Sequence, residues 1–297
     1  MTARLSAWWL NVSVTRSVIL VMTGVFAVHV AVSRVVDLPE AGGRYELLLG
    51  VAYFVFGILV AFAIENARGG LSRVNELLKA GDADLVSIYQ LSASFGPDAQ
   101  AELRDVIDAH IQDQIDYRLV DFERSTPSFL TLFARVRDLE PTSTRGEIAY
   151  DHLLGICTAA SERRKQLEAL VRQRVSPVEW VTLVSLLAAL WGLMLAANGG
   201  PIVAGLLGGV LVASLAGLLV LLRHLDEFRW QEGEAIWNPL HNLFLSLDLL
   251  PYYPRDTVRT GRLDPPSGQL RLVDYPHPYP DMTDKTIVIA DHVRKRR

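Results

Sequence analysis

Four long apolar runs constrain this chain more than any other feature. They cover about residues 17–36, 47–64, 177–197 and 201–222. A helix needs roughly 20 mostly apolar residues to cross about 30 Å of hydrocarbon, and each run is near that length. The second run, Leu47 to Ile64, holds no charge at all. A soluble fold would have to bury all four, and too little polar surface remains to cover them. Half of the 297 residues are hydrophobic and the mean hydropathy is +0.23, an excess that sits in these runs. The prediction is an all-α membrane protein with four transmembrane helices and a helical cytoplasmic domain between spans two and three.

The third span opens with a capping signature. Ser176 takes the N-cap, Pro177 the first helical position and Glu179 the third. A reciprocal Ser–Glu box satisfies two free N–H groups, and proline costs nothing there because its missing N–H would be unpaired anyway. Asn198, Gly199, Gly200 and Pro201 predict a tight turn, so spans three and four form a hairpin. Ala188, Gly192 and Ala196 recur every fourth residue on span three; Gly205, Gly209, Ala213 and Gly217 do so on span four. Small residues at this spacing let helix backbones approach closely in lipid. They predict a helix–helix interface, within one chain or between chains. The first span is too long for the apolar core of a secretory signal and no small-residue cleavage site follows, so it is expected to stay. His29 inside it is expected to be neutral and satisfied.

Positive charge marks the cytoplasmic side. Arg4 and Arg16 precede span one; Arg68, Arg73 and Lys79 follow span two; Arg163, Arg164, Lys165, Arg172 and Arg174 precede span three; Arg223 and Arg229 follow span four. The outer side offers only Arg34 and Arg44. Both termini and the middle segment are therefore expected inside, in a multi-pass plasma-membrane protein, with a bacterial plasma membrane the simplest location. The domain plan is residues 1–65 with spans one and two, 66–176 as the cytoplasmic helical domain, 177–222 as the hairpin, and 223–297 as an aromatic and proline-rich segment with a basic tail.

The middle segment carries helical periodicity. Pro97 and Asp98 open a helix on which Leu103, Ile107, Ile111, Ile115, Leu119 and Phe122 share one face, while Asp105, Asp108, Asp113 and Asp116 point elsewhere. Ser125–Phe133 and Asp138–Thr144 read as breaks. A second helix runs from Arg145 towards Arg174, with Ile148, His152, Leu154, Leu167 and Val171 as its buried side. Cys157, the single cysteine, reads as a small buried residue. After span four, Phe244, Leu245, Leu247 and Leu249 suggest a short helix. Gln269–Val273 and Thr286–Ala290 have the pattern of a small hairpin. The tail Arg294, Lys295, Arg296, Arg297 is either solvated or drawn to anionic lipid.

Few sites of chemistry emerge. A net charge of −4 argues against nucleic acid as a partner. One cysteine excludes an internal disulfide and a cysteine-based zinc site. His110, Asp113 and Asp116 lie about one turn apart, but other aspartates surround them and no further ligand cluster is visible, so no metal and no cofactor is expected. No phosphate loop, nucleophile elbow or HExxH motif is present. The chain reads as a non-enzyme.

Gly57, Ala61, Phe62 and Asn66, then Arg73, Glu76 and Tyr89, resemble the exit of the second span in the bestrophin-like family of bacterial membrane proteins. Arg163, Arg164 and Leu167, then Pro177, Trp180 and Leu183, resemble that family's entry to its third span; Leu225 and Asp226 resemble its next landmark. The resemblance covers about residues 47–250. It implies a distant kinship with bestrophins, pentameric anion channels whose pore is lined by the second span. By that resemblance Phe54, Ile58 and Phe62 would line a hydrophobic neck, with Glu65 and Asn66 at its cytoplasmic mouth. Such a ring gates by dewetting. The middle segment, residues 66–176, holds 17 acidic against 14 basic residues, which does not concentrate anions.

Two functions follow as expectations. One is an oligomeric channel for small ions, with the lipid bilayer and copies of itself as partners. The other is a non-conducting sensor or scaffold whose cytoplasmic helices bind a protein partner. The charge bias itself is testable. With Cys157 replaced, an Arg73→Cys variant should react with a membrane-impermeant thiol reagent only after cells are opened. An Arg44→Cys variant should react in intact cells. The reverse pattern would invert the topology.

Overall fold

In hydrocarbon, backbone N–H and C=O groups find no water, so apolar runs of this length close their hydrogen bonds internally as helices. The computed structural model describes residues 14–35, 44–173, 175–197, 202–226, 234–260 and 263–293. Within them the helices are α1 (Val14–Val35), α2 (Arg44–Ser92), α3 (Pro97–Asp116), α4 (Thr126–Arg137), α5 (Thr144–Arg172), α6 (Pro177–Ala197), α7 (Ile202–Asp226), α8 (Glu234–Ser246) and the short α9 (Arg255–Arg259). Strands β1 (Tyr252–Pro254), β2 (Gly268–Asp274) and β3 (Thr286–His292) form one sheet. Four helical stretches among the described residues are long and apolar enough to cross a membrane, and they overlap α1, α2, α6 and α7. The chain is an all-α membrane protein with a small added sheet. Arg4, Arg174, the Asn198–Pro201 turn, Arg229, Trp230 and the basic tail from Arg294 lie outside the described residues.

The chain divides into two compact units, Met1–Leu71 with Arg174–Phe228, and Ser72–Gln173 with Arg229–Arg297. The division falls inside α2, which continues as one helix from the second span to Ser92.

In the membrane unit, Phe56 and Val60 of α2 pack against Leu183 and Leu190 of α6 and Leu219 and Leu222 of α7. The capping box of α6 is formed: the Ser176 N–H donates to Glu179 Oε2 at 2.8 Å, and the Glu179 N–H donates to Ser176 Oγ at 3.1 Å. Asp226 at the end of α7 accepts the Val175 N–H at 2.7 Å, which ties that helix end to the approach to α6.

The second unit builds one core from segments far apart in sequence. Leu103, Ile107, Ile111 and Ile115 of α3 are buried, and so are Leu119 and Phe122 in the 3-10 turn that follows, as their spacing predicts. The four α3 residues meet Leu85 and Ile88 of α2, Leu132 and Val136 of α4, Leu153 and Cys157 of α5, and Trp237, Phe244, Tyr252, Leu270 and Val273 from the C-terminal segment. The hairpin read in the sequence is present: β2 and β3 pair antiparallel with Leu270 opposite Ala290, and β1 adds to β2 in parallel.

Three local readings are corrected. Thr126–Arg137 is a helix where Ser125–Phe133 reads as a break; Pro127 sits in its first turn, where proline starts a helix instead of ending one. The buried side of α5 is Gly146, Ala149, Leu153, Cys157, Arg164, Leu167 and Val171, whereas Ile148 and His152 are exposed. The stripe contains small residues and one arginine, which hides its apolar periodicity. Asp108 and Asp116 do not face solvent. Arg271 grips Asp108 with two bonds, at 2.5 and 2.7 Å, and donates a third to the Leu250 carbonyl. Asp116 accepts from Tyr252, Tyr275 and Lys285 at 2.9, 2.6 and 2.6 Å.

A two-pronged guanidinium–carboxylate contact holds geometry as well as charge. Side chains of Asp108 and Arg271 are each only 14% exposed, so removing one strands the other in low dielectric. Arg271→Ala is expected to cost about 3–5 kcal/mol, read as a lower denaturation midpoint of the purified chain. A loss under about 1 kcal/mol would mark the pair as an ordinary surface bridge.

Candidate functional site

The second span presents two faces of opposite character. With roughly 3.6 residues per turn, positions 54, 58, 62, 65 and 66 share about a third of the helix circumference. Phe54 is 69% exposed, Ile58 39% and Phe62 66%, and Glu65 and Asn66 are exposed beyond them. Val51 and Val55 are exposed within the same face and Leu59 at its edge. Positions 56 and 60 point the other way and are buried in the membrane unit, with Ala52, Ala63, Ile64 and Ala67 beside them. The stripe from Phe54 to Phe62 is therefore uncovered by any described part of the chain. It ends, one turn on, in a carboxylate and an amide.

Span four and span three use their small residues differently. A Cβ built on Gly209 would lie 2.9 Å from the Phe26 ring and 3.3 Å from His29; one on Gly217 would lie 2.9 Å from Met22. Gly205 faces Ser33 at 3.4 Å, and Ala213 is buried. Span four thus comes close to α1 along its glycine row. On α6, Ala188 and Gly192 are exposed, nothing lies within 4 Å of a Cβ on Gly192, and Ala196 is half-buried.

His29 is fully buried where α1 meets α6. Trp191 Nε1 donates to its Nδ1 at 3.0 Å. A ring nitrogen that accepts an N–H carries no proton of its own, so this contact belongs to a neutral imidazole. An indole N–H and an imidazole lone pair thereby satisfy each other between helices.

The three residues that suggest a metal each have protein partners, and His110 and Asp113 share one of them, Ser128. His110 bonds Ser128 and Gln114, each at 2.9 Å. Asp116 holds two tyrosines and Lys285, and Asp113 bonds the Ser128 hydroxyl. Among the described residues no group of three or more His, Cys, Asp or Glu is arranged to hold a metal ion. Sequence reasoning missed Arg164. It reads as one more positive charge near the membrane, yet it is buried, and its Nη2 donates to the Phe122 carbonyl, Ser125 and Thr126 at 2.8, 3.0 and 3.1 Å. Its place on the stripe of Leu153, Cys157 and Leu167 is the signal that could have found it.

Comparison with known proteins adds one positive finding. No curated protein and no solved structure matches the chain. A family model described as Bestrophin-like domain matches residues 16–227, a stretch that takes in all four apolar helices and well over half of the sequence. The landmarks of the second-span exit and third-span entry fall inside it, and the chain belongs to the Bestrophin-like family.

Proposed function

We propose that the chain is the protomer of an oligomeric membrane channel for small ions, anions first among them, with the outer face of α2 lining the pore. One observation carries this reading. Phe54, Ile58 and Phe62 stand exposed in a row on the face of α2 opposite the buried Phe56 and Val60, with Glu65 and Asn66 directly beyond. Arranged around an axis by several copies, that row becomes an apolar neck with polar groups at its mouth. A neck of this kind passes ions when wetted and blocks them when dry. Membership of the Bestrophin-like family supports the reading, because the resemblance implies a distant kinship with channels lined by their second span. The uncovered Ala188 and Gly192 on α6 support an oligomer, since small residues let a neighbouring backbone come close. In this reading the second unit and both termini lie in the cytoplasm, on the side where the sequence concentrates arginine. No catalytic chemistry and no cofactor enters it.

A second reading is a non-conducting sensor or scaffold that binds a protein partner. The edge strand β3 favours it: Ile287, Val288 and Ile289 are exposed on a strand that, among the described residues, pairs on one side only. Such an edge accepts an added strand.

Flux separates the two. Purified protein in liposomes should carry chloride faster than empty vesicles. Phe62→Ala should raise that flux severalfold by widening and wetting the neck. Glu65→Gln should raise chloride passage relative to potassium, because a ring of carboxylates repels anions. Flux equal to that of empty vesicles for chloride, potassium and sodium alike would end the channel reading.

A further inference from the structure

Helix α2 runs unbroken for 49 residues, from the second span into the second unit. Its buried side chains stop at Val60 and resume at Val74. Every position between them, from Ala61 to Arg73, is exposed or half-buried. Roughly three and a half turns therefore lack a fully buried side chain to hold them. Phe56 and Val60 anchor the helix before this stretch, and Val74 and Leu77 anchor it after. The boundary between the two compact units falls inside the stretch, between Leu71 and Ser72.

Two adjacent glycines, Gly69 and Gly70, stand just before that boundary. Glycine in a helix interior gives up more backbone freedom than any other residue and is a poorer helix former than all but proline. Asn66 and Ser72, on either side, are weaker helix formers than alanine as well. A glycine inside a helix is commonly there to make room for a neighbour, as Gly209 and Gly217 of α7 do for α1. Gly69 and Gly70 make room for nothing among the described residues: no atom lies within 4 Å of a Cβ built on either. They do not end the helix either, since α2 continues to Ser92. The helix is thus weakest by sequence in the same place where packing holds it least.

We propose that Gly69 and Gly70 form a hinge in α2, at which the second unit pivots against the span. Sharp helix bends collect at small, weakly helical residues, and a segment with few buried contacts opens most readily. Bending there moves the second unit without unpacking Phe56 and Val60. The glycines follow Glu65 and Asn66 by one turn, so in the channel reading the hinge is the joint between the neck and the second unit. The hinge itself stands whether or not the protein conducts.

The test reads the shape of α2 in the full chain in lipid nanodiscs, with Cys157 replaced and labelled chains diluted among unlabelled ones. Spin labels at Ala61→Cys and Ala83→Cys occupy exposed positions on either side of the glycines. A straight helix sets the two positions about 33 Å apart, at about 1.5 Å per residue. The wild-type glycines should give a broad distance distribution that reaches several ångströms below that length. Gly69→Ala combined with Gly70→Ala should narrow it towards the straight-helix value. Amide exchange over residues 69–74 should slow in the same variant by up to about 30-fold, while exchange over residues 85–91 stays unchanged. A narrow distribution near the straight length in the wild type would overturn the proposal. So would a double-alanine variant as broad as the wild type. If a neighbouring copy packs on the glycines instead, the variant should fall to a smaller oligomer while the wild-type distribution is narrow, which also overturns it.

Discussion

The solvent around the four apolar helices dictates the rest of the membrane unit. Hydrocarbon offers no partner to a backbone amide or a buried imidazole, so each polar group must find one within the protein. The capping box at Ser176 and Glu179, the Asp226 carboxylate on the Val175 amide and the Trp191–His29 bond are three answers to that demand. Where no polar contact holds helices together, close approach has to. The glycine row of α7 against Phe26, His29 and Met22 provides it, because a methyl at Gly209 or Gly217 would collide with α1.

A different logic governs the second unit. Apolar burial drives its packing. The polar groups inside it are arranged in matched sets: Arg271 with Asp108 and the Leu250 carbonyl, Asp116 with two tyrosines and Lys285, Arg164 with a carbonyl and two hydroxyls. Each set joins elements that are far apart in the chain. Apolar contacts alone would tolerate small slips of β2 over α3; a two-pronged guanidinium contact does not.

Much of this was legible before any coordinates. The spans announce themselves by length, and the cap of α6 by its Ser-Pro-x-Glu order. The face of α3 follows from its three-and-four spacing. What was hidden shares one cause, namely that the deciding partner is distant in sequence. Asp108 and Asp116 look solvent-directed until Arg271 and Lys285 are placed beside them. Arg164 looks like a topology signal until the turn at Phe122 folds over it. Pro127 looks like a break because its neighbourhood lacks a long apolar run, although a proline in a first turn is permissive. The stripe of α2 from Phe54 to Asn66 was readable as a helical face. That the face stays uncovered was not, because coverage depends on where α6 and α7 pack.

Leu270 and Val273 belong to the same core as Leu103 and Leu153, more than a hundred residues upstream. A ribosome makes α3, α4 and α5 and then both helices of the apolar pair, α6 and α7, before it reaches β2. Throughout that interval the faces of α3 and α5 that await the sheet remain bare to solvent, as does the carboxylate that awaits Arg271. Nascent chains in that condition attract holdase chaperones and, failing those, stick to one another. A ribosome stalled just before Gly268 would leave α3 and α5 without the strand residues that complete their core.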